Sequence, residues 1–137
     1  MARCPETMKW LYPNGHYVIV RRLSSKEEKR RVVAYHVQPK DFPGHPYLGF
    51  ENHLNVFHRR KQGLPPELAC GLALYLNSSF VDILFRSFNG HTQVNATDLR
   101  SLPYPSTDTL EALGRWADRQ AELTQENVER HIKAVLA

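Results

Sequence analysis

The densest group of residues capable of chemistry lies at residues 51–58, which include Asn52, His53, Asn55 and His58. Such a group could hold the metal ion of a small nuclease, with His53, Asn55 and His58 as its working residues. The two imidazoles are five positions apart, which on a strand places them on opposite faces and is poor geometry for one ion. The spacing favours polar side chains at a surface, with Asn52, His53 and Asn55 facing nucleic acid.

Motifs for an active site are missing from the sequence. A methyltransferase that uses S-adenosylmethionine needs a glycine-rich turn for the cofactor, and an adenine-specific one also needs an Asn/Asp-Pro-Pro-aromatic loop that holds the base. The dipeptide Pro65-Pro66 follows Leu64, whose side chain accepts no hydrogen bond. Walker and GxSxG motifs are absent as well, and Asp82 and Asp98 lack the Glu-x-Lys partner of a restriction nuclease core. We therefore expect no catalytic residue, metal or cofactor site in this chain.

Arginine and lysine residues form two clusters that fit phosphate contacts. The first cluster is Arg21, Arg22, Lys26, Lys29, Arg30 and Arg31, and the second is Arg59, Arg60 and Lys61. Charged hairpin tips are often only solvated, but acidic residues are sparse around the second cluster. Arginine also binds phosphate and guanine through two parallel hydrogen bonds. The clusters therefore predict contacts to nucleic acid.

A third polar stretch, residues 89–95, is rich in amide and hydroxyl groups. Asn and Gln pair with adenine in the major groove of DNA, so His91, Thr92 and Gln93 are candidate base-reading residues. The same composition also fits a loop that bonds to its own backbone, with Asn89 and Asn95 as caps. Both interpretations stay open at this point.

The composition fits one globular domain with a basic body. The 137 residues are 42% hydrophobic and 23% charged, which is enough for one buried core. Residues 1–106 carry 14 Lys and Arg against 8 Asp and Glu, whereas residues 107–137 carry 4 against 6. Such an excess of positive charge favours polyanionic partners.

Other sequence features bear on location. No apolar run approaches the roughly 20 residues that cross a bilayer, and no secretory signal is recognisable at the N-terminus. Cys4 and Cys70 lack the spacing of a disulfide framework or of a zinc site. A cytoplasmic location without a membrane partner is expected.

The first half of the chain has the pattern of strands. Residues 16–23 and 31–37 are rich in β-branched and aromatic types and flank a charged connection, which predicts an antiparallel hairpin. Residues 38–48 contain three prolines and a glycine and predict a loop. Alternation over residues 50–58 predicts another strand, which an exposed basic turn at residues 59–63 closes.

Helical spacing dominates the second half. Residues 64–76 and 80–88 predict two helices, and a single turn capped by Asn95 or Thr97 follows. Residues 102–104 are expected to be extended. From Thr107 onward the pattern predicts a long amphipathic helix that breaks near Thr124. Thr107 and Asp108 are expected to cap its N-terminus. Strands that precede helices in this way predict an α+β domain.

Residues 75–105 resemble the end of target-recognition domains in TaqI-like adenine-specific DNA methyltransferases and, more loosely, in type I specificity subunits. The matching pieces are a Leu-Asn-Ser helix end, a glycine-bearing polar turn, an Asn-x-x-Asp-Leu turn and a Leu-Pro-x-Pro segment, at residues 74–78, 90–93, 95–99 and 102–105. Residues 49–59 also resemble an upstream segment of such enzymes. The likeness covers most of residues 10–110, and the order of the pieces is more specific than any single piece.

The resemblance implies that residues 1–106 form a domain that recognises a sequence in double-stranded DNA. It would help to position an adenine for flipping into a partner active site, and residues 89–100 would serve mainly as scaffold. The catalytic half of these restriction–modification enzymes has no counterpart in the sequence. The chain is therefore expected to be the C-terminal piece of a larger enzyme or a separate partner of one.

The expected partners are double-stranded DNA and a methyltransferase catalytic domain, which would bind S-adenosylmethionine. Residues 107–137 are expected to form a helix that packs on the domain, on a partner, or on a second copy in a homodimer. Two alternatives stay open. One is an interaction subunit that assembles through this helix, and the other is the small metal nuclease at residues 53–58.

Overall fold

The computed structural model describes residues 11–22, 29–50, 53–88 and 93–136. Its strands are β1 (Leu11–Pro13), β2 (Tyr17–Arg21), β3 (Ala34–Val37), β4 (Tyr47–Gly49) and β5 (Leu54–Phe57). Its helices are α1 (Pro66–Leu76), α2 (Ser79–Phe88), α3 (Ala96–Arg100), α4 (Thr107–Asp118) and α5 (Gln125–Leu136). Antiparallel strands precede helices along the described chain, so the predicted α+β class is confirmed.

The main sheet is antiparallel and has the order β3-β2-β5. In its register Val18 lies opposite His36 on one side and Phe57 on the other, which confirms the predicted hairpin. Its paired part is shorter than predicted, because β2 ends at Arg21 and β3 begins at Ala34. Tyr17 and Val18 are both fully buried, so β2 is covered on both faces at this end.

A second sheet pairs β1 with β4 in antiparallel register. The prediction of a loop throughout residues 38–48 is wrong at β4, because Pro46 is the last proline and the residues after it are free to pair. The Asn14 backbone N–H also donates to the Pro46 carbonyl, at 2.9 Å. The strand predicted over residues 50–58 is likewise shorter and comprises only β5.

Two glycines let α1 and α4 pack backbone against backbone. A Cβ atom at Gly71 would overlap the carbonyl oxygen of Leu110, and one at Gly114 would overlap that of Glu67. Hydrophobic side chains beside this contact complete the core, in which Leu72 and Leu113 are buried together with Val20 of β2. The helical layer therefore lies directly on the sheet.

The end of α1 is tied to β3 by one side chain. Asn77 accepts a hydrogen bond from the Ala34 N–H at 2.8 Å and donates one to the Ala34 carbonyl at 2.9 Å. Ser78, which is fully buried, donates to the Tyr75 carbonyl at 2.6 Å and accepts from the Val81 N–H at 3.3 Å. The polar Asn-Ser pair thus forms the joint between α1, α2 and the sheet.

The segment after Val94 is ordered by side-chain hydrogen bonds. Asn95 and Asp98 form a capping box around α3, as the prediction of a single capped turn requires. The extended strand expected at residues 102–104 is wrong. Pro103 and Pro105 have no backbone N–H, so this segment offers few donors to a neighbouring strand. Side-chain hydroxyl groups bond here instead: Tyr75 donates to the Pro103 carbonyl, and Tyr104 donates to the Leu99 carbonyl.

The C-terminal residues form two helices on the same core. The predicted break near Thr124 is confirmed, because α4 ends at Asp118 and the Thr124 hydroxyl accepts from the Asn127 N–H before α5. The cap of α4 is Ser106, one residue earlier than predicted, and its hydroxyl accepts from the Thr109 N–H at 3.2 Å. Val128 and Ile132 of α5 are buried in the core.

No single helix in the described ranges is both long and apolar enough to span a membrane. The pair formed by α1 and the greater part of α2 reaches that length only together, across a bend of 58°.

Replacing Gly114 by Ala is expected to lower the free energy of unfolding by about 1–3 kcal/mol or more, because the added methyl group forces α1 and α4 apart. An exposed helical glycine would respond in the opposite sense and gain roughly 0.5–1 kcal/mol. Urea unfolding monitored by circular dichroism measures the change. Ala112→Ser, on the exposed side of α4, is the control and should stay within about 0.5 kcal/mol. A Gly114→Ala protein as stable as the parent would contradict the close packing.

Candidate nucleic-acid interface

Three separate segments that carry predicted site residues meet where β2 ends. The Arg22 N–H donates to the His53 carbonyl at 2.9 Å, and the Arg22 carbonyl accepts from the Val94 N–H at 2.5 Å. Asn55 adds a third link, because its Nδ2 donates to the Val94 carbonyl at 2.8 Å. The exposed residues gathered here are Arg21, Arg22, His53 and Gln93, which we call the Arg22 cluster.

The second group, the basic turn, consists of Arg59, Arg60 and Lys61, all exposed. Arg59 and Gln62 exchange backbone hydrogen bonds of 3.0 and 2.8 Å. Arg60 and Lys61 have φ angles of 51° and 62°, which makes this a type I′ turn, a geometry that normally holds Asn-Gly. A residue with a Cβ atom costs roughly 1–2 kcal/mol in this conformation. The turn therefore holds its cations on a strained backbone.

Tyr12 of β1 positions the basic turn. The centroid of its ring lies 5.3 Å from that of the His58 ring and 5.9 Å from the Lys61 Nζ. Edge-on contacts at 5.6 Å to Tyr17 and 5.4 Å to Phe50 fix the Tyr12 ring in turn. The small sheet thus serves as a support on which the turn rests.

His58 is held in one orientation by the same turn. The Lys61 N–H donates to His58 Nδ1 at 2.8 Å. Because Nδ1 acts as an acceptor, the neutral ring carries its proton on Nε2. Exposed His58 therefore offers one N–H donor next to the basic turn.

β5 separates the Arg22 cluster from the basic turn. Leu54 at its start pairs with Arg21, and Phe57 at its end pairs with Val18 just before the basic turn. Four residues of extended chain span about 13 Å. The two groups are therefore held a fixed distance apart by one rigid strand.

An open cavity of about 290 Å³ lies along β5, between this strand and α3. Its polar lining comes from Asn55, His58 and Arg100. Val56, Phe57, Leu99 and Tyr104 line its apolar part. Sequence reasoning placed Arg100 in the expected scaffold segment 89–100 and considered His58 only as a metal ligand, since nothing in the sequence shows that α3 lies beside β5.

Arg31 does not fit the phosphate contact expected of it. The residue is only 1% exposed, its Cζ lies 5.3 Å from the centroid of the Phe85 ring, and its backbone N–H donates to Asp82 Oδ1 at 2.8 Å. A guanidinium in this position belongs to the core and cannot reach DNA without unfolding. The charge pattern of the sequence does not distinguish this arginine from its neighbours.

The remaining predicted residues lie elsewhere. Lys29 and Arg30 line a groove with Asn77 and Gln125, on the β3 side of the sheet and therefore away from β5. Four further residues lie outside the described part of the chain, namely Lys26, Asn52, His91 and Thr92.

The described residues contain no group of three or more His, Cys, Asp or Glu that could hold a metal ion. His58 Nδ1 accepts a hydrogen bond from the Lys61 N–H, so this nitrogen is not available to an ion in the described arrangement. The geometry thus gives the nuclease alternative no support.

Two histidines form a separate pair at the start of β2 and in β3. His16 Nδ1 and His36 Nε2 are 3.0 Å apart. Burial lowers the pKa of His16, against the carboxylates of Glu67 and Asp41, which raise it. Burial, and to a lesser extent the neighbouring His16, lower the pKa of His36, whereas the carboxylate of Asp41 raises it. Both rings are therefore held neutral at physiological pH.

An apolar groove lies between α2 and α5. Ile83 is 68% exposed, and Phe80 and Leu136 also remain accessible. Glu129 bridges the two helices by accepting from the Ser79 N–H at 2.8 Å and from its hydroxyl at 2.7 Å. These residues form an accessible apolar surface beside the C-terminal helix.

The chain is similar to part of two larger enzymes. Over 122 residues it is 59% identical to the Type II methyltransferase M.BsuBI of Bacillus subtilis, a match that covers 89% of this chain and 24% of that protein. Over 112 residues it is 48% identical to the Type II methyltransferase M.PstI of Providencia stuartii, covering 82% of this chain and 22% of that protein. The chain spans about a quarter of the length of these relatives. No family model and no solved structure matches it.

Replacing Arg60-Lys61 by Asn-Gly is expected to raise the free energy of unfolding by about 1–2 kcal/mol, because both new residues adopt positive φ readily. Urea unfolding measures the gain. The control is Arg60→Ala with Lys61→Ala, which removes the same charges but keeps both Cβ atoms. Equal gains in the two double variants would show that charge repulsion, rather than backbone strain, limits the parent.

The histidine pair makes the stability depend on pH. Between pH 7 and about 5 the unfolded chain takes up protons near the ordinary histidine pKa of 6.5, while His16 and His36 in the folded chain resist protonation. Stability is therefore full above 6.5 and falls as the pH drops towards the lowered pKa values. His36→Gln should flatten this fall in urea unfolding across pH, whereas His45→Gln, in an exposed loop, should not. A fall as steep in His36→Gln as in the parent would refute the assignment.

Proposed function

We propose that the chain is the part of a restriction–modification, adenine-specific DNA methyltransferase that recognises the DNA target. The catalytic domain and its S-adenosylmethionine site lie outside these 137 residues. The described surface that contacts double-stranded DNA is the Arg22 cluster, the basic turn and Asn55 between them.

One observation carries the proposal. Two exposed basic groups lie at opposite ends of one strand, and three otherwise distant segments are hydrogen-bonded together to build one of them. The backbone of the basic turn also supports a functional role, since Arg60 and Lys61 occupy conformations that favour Asn-Gly. Strain of this kind tends to persist where a side chain serves a function.

The proposal assigns different tasks to the charged and polar side chains. Contacts to phosphate supply most of the affinity and fix the register of the protein on the duplex, whereas hydrogen bonds to base edges discriminate between sequences. Arginines of the basic turn fit the first task. His53, Asn55 and Gln93 fit the second, together with the predicted residues outside the described ranges.

The methyltransferase context is supported by the names of the relatives, which are both Type II methyltransferases. Adenine as the modified base rests on the resemblance of residues 75–105 to TaqI-like target-recognition domains. Buried Arg31 is left out of the proposed interface, and Lys29 and Arg30 remain candidate phosphate contacts on the β3 side.

The first test is fluorescence anisotropy of the chain with a mixed-sequence DNA duplex at several salt concentrations. We expect the logarithm of the binding constant to fall linearly with the logarithm of salt concentration. Arg59→Ala with Arg60→Ala should reduce the slope by about 2, because two phosphates are no longer neutralised by the protein. The control is Arg130→Ala on α5, whose side chain is 70% exposed and pairs with Glu126; it removes one charge, so a general effect of charge would reduce the slope there by about 1.

Two results would contradict this proposal. An equal loss of affinity in Arg130→Ala would mean that general charge, not this surface, attracts DNA. Absence of binding at low salt would favour the alternative that the chain acts by assembly through the apolar groove of α2 and α5. Absent binding could also mean that the chain needs the catalytic part of the enzyme, and a chimera of M.BsuBI that carries this chain in place of its matching segment distinguishes the two explanations. If Arg59→Ala with Arg60→Ala abolishes methylation by the chimera, the DNA-binding assignment is restored.

A further inference from the structure

We propose that the cavity between β5 and α3 reads purine bases in the major groove, with Arg100 as its main specificity-determining residue and Asn55 beside it. This inference rests on the proposed function and deepens it, because it states which side chains discriminate between bases and which base class they contact.

The chemistry of the cavity fits a base edge. Arg100, Asn55 and His58 supply hydrogen-bond donors and one amide acceptor around its rim, and none of the described residues that line it is a carboxylate. Arginine pairs with guanine O6 and N7 through two hydrogen bonds, and asparagine pairs in the same way with adenine N6 and N7. The apolar part, formed in part by Val56 and Leu99, suits the methyl group of a neighbouring thymine.

The side chains of Asn55 and His58 are held in place before any ligand arrives, and the backbone that carries Arg100 is fixed. One amide hydrogen of Asn55 is used by the Val94 carbonyl at 2.8 Å, which fixes the amide plane and leaves its oxygen and second hydrogen for a base. The bond from the Lys61 N–H fixes the His58 ring. Arg100 ends the one-turn helix α3, whose start is closed by the capping box of Asn95 and Asp98. Such preorganisation reduces the entropy cost of binding.

The cavity lies along β5, between the two basic groups. His53 of the Arg22 cluster and Arg59 of the basic turn are six residues apart along the mostly extended chain that contains β5, which corresponds to about 20 Å. Since the major groove of B-DNA is about 12 Å wide, basic groups on either side of the cavity can reach phosphates on the two sides of the groove while the cavity faces the base edges.

The residues that surround the cavity also explain why Arg100 is available for this task. Leu99 is buried in the core and Tyr104 donates its hydroxyl hydrogen bond to the Leu99 carbonyl at 2.7 Å. These contacts anchor the end of α3, and the next residue, Arg100, is exposed. An exposed arginine on a fixed one-turn helix presents its guanidinium without a flexible loop.

The test is selection of bound sequences by the chain from a pool of randomised DNA duplexes, followed by anisotropy on the enriched duplex. Arg100→Lys keeps the charge but loses the planar guanidinium fork that fits guanine O6 and N7, so preference for guanine at one position should fall by up to about tenfold while the salt dependence is unchanged. Arg100→Gln should change that preference from guanine to adenine, since glutamine pairs with adenine. A merely structural role for Arg100 would not exchange one base for another. The charge-matched control is Arg130→Lys on α5, which should leave the selected sequence unchanged.

The possible outcomes separate this inference from the proposed function. If the parent binds duplex DNA through the basic turn but both Arg100 variants keep the parent sequence preference, or if the parent enriches no sequence, the cavity does not read bases while the DNA-binding assignment stands. If the parent binds no duplex at all, and the M.BsuBI chimera methylates regardless of the basic turn, both proposals fail together.

Discussion

The Asn77 side chain makes the contact on which the arrangement of the domain depends. Its amide bonds both backbone groups of Ala34 and so closes the outer edge of β3 with the end of α1. Each hydrogen bond contributes about 1 kcal/mol net to stability, and leaving a buried donor or acceptor without its hydrogen bond costs about 1–3 kcal/mol. Since β2 lies between β3 and β5, fixing β3 on α1 also fixes the strand that carries the proposed interface. A single polar side chain therefore relates the helical layer to the edge of the sheet that carries the proposed DNA interface.

The pieces that carry the resemblance to target-recognition domains turn out to be largely structural. Asn77 and Ser78 join α1 to the sheet, Asn95 and Asp98 cap α3, and Leu99 lies in the core. A motif made of such residues can be shared by proteins that bind different DNA sequences, because it maintains the fold without touching a base. The residues proposed to contact DNA lie on surfaces that this scaffold positions.

The sequence could predict those elements whose signals are local. The hairpin of β2 and β3, the paired helices α1 and α2, and the break before α5 all follow from periodicity, prolines and caps. It could not predict β1 and β4, because three-residue strands carry too little periodicity and their pairing joins segments far apart in sequence. For the same reason Arg31 could not be told from Arg30: burial of one arginine against Phe85 depends on where α2 lies relative to the hairpin.

The same limit applies to the proposed site, and it indicates how specificity could vary on this fold. Asn55 and Arg100 are 45 residues apart in sequence, and only the fixed positions of β5 and α3 bring them to one cavity. Neither side chain is needed to form the core, whereas their neighbours Phe57 and Leu99 pack in it or against it. Substitution at exposed Arg100 can therefore alter the proposed hydrogen bonding to bases at little cost in stability, whereas substitution of Asn55 also removes its bond to the Val94 carbonyl. By contrast, the basic turn is proposed to contact phosphates, which are common to every sequence, so under this proposal selection for DNA affinity can maintain its backbone strain even when the recognised sequence changes.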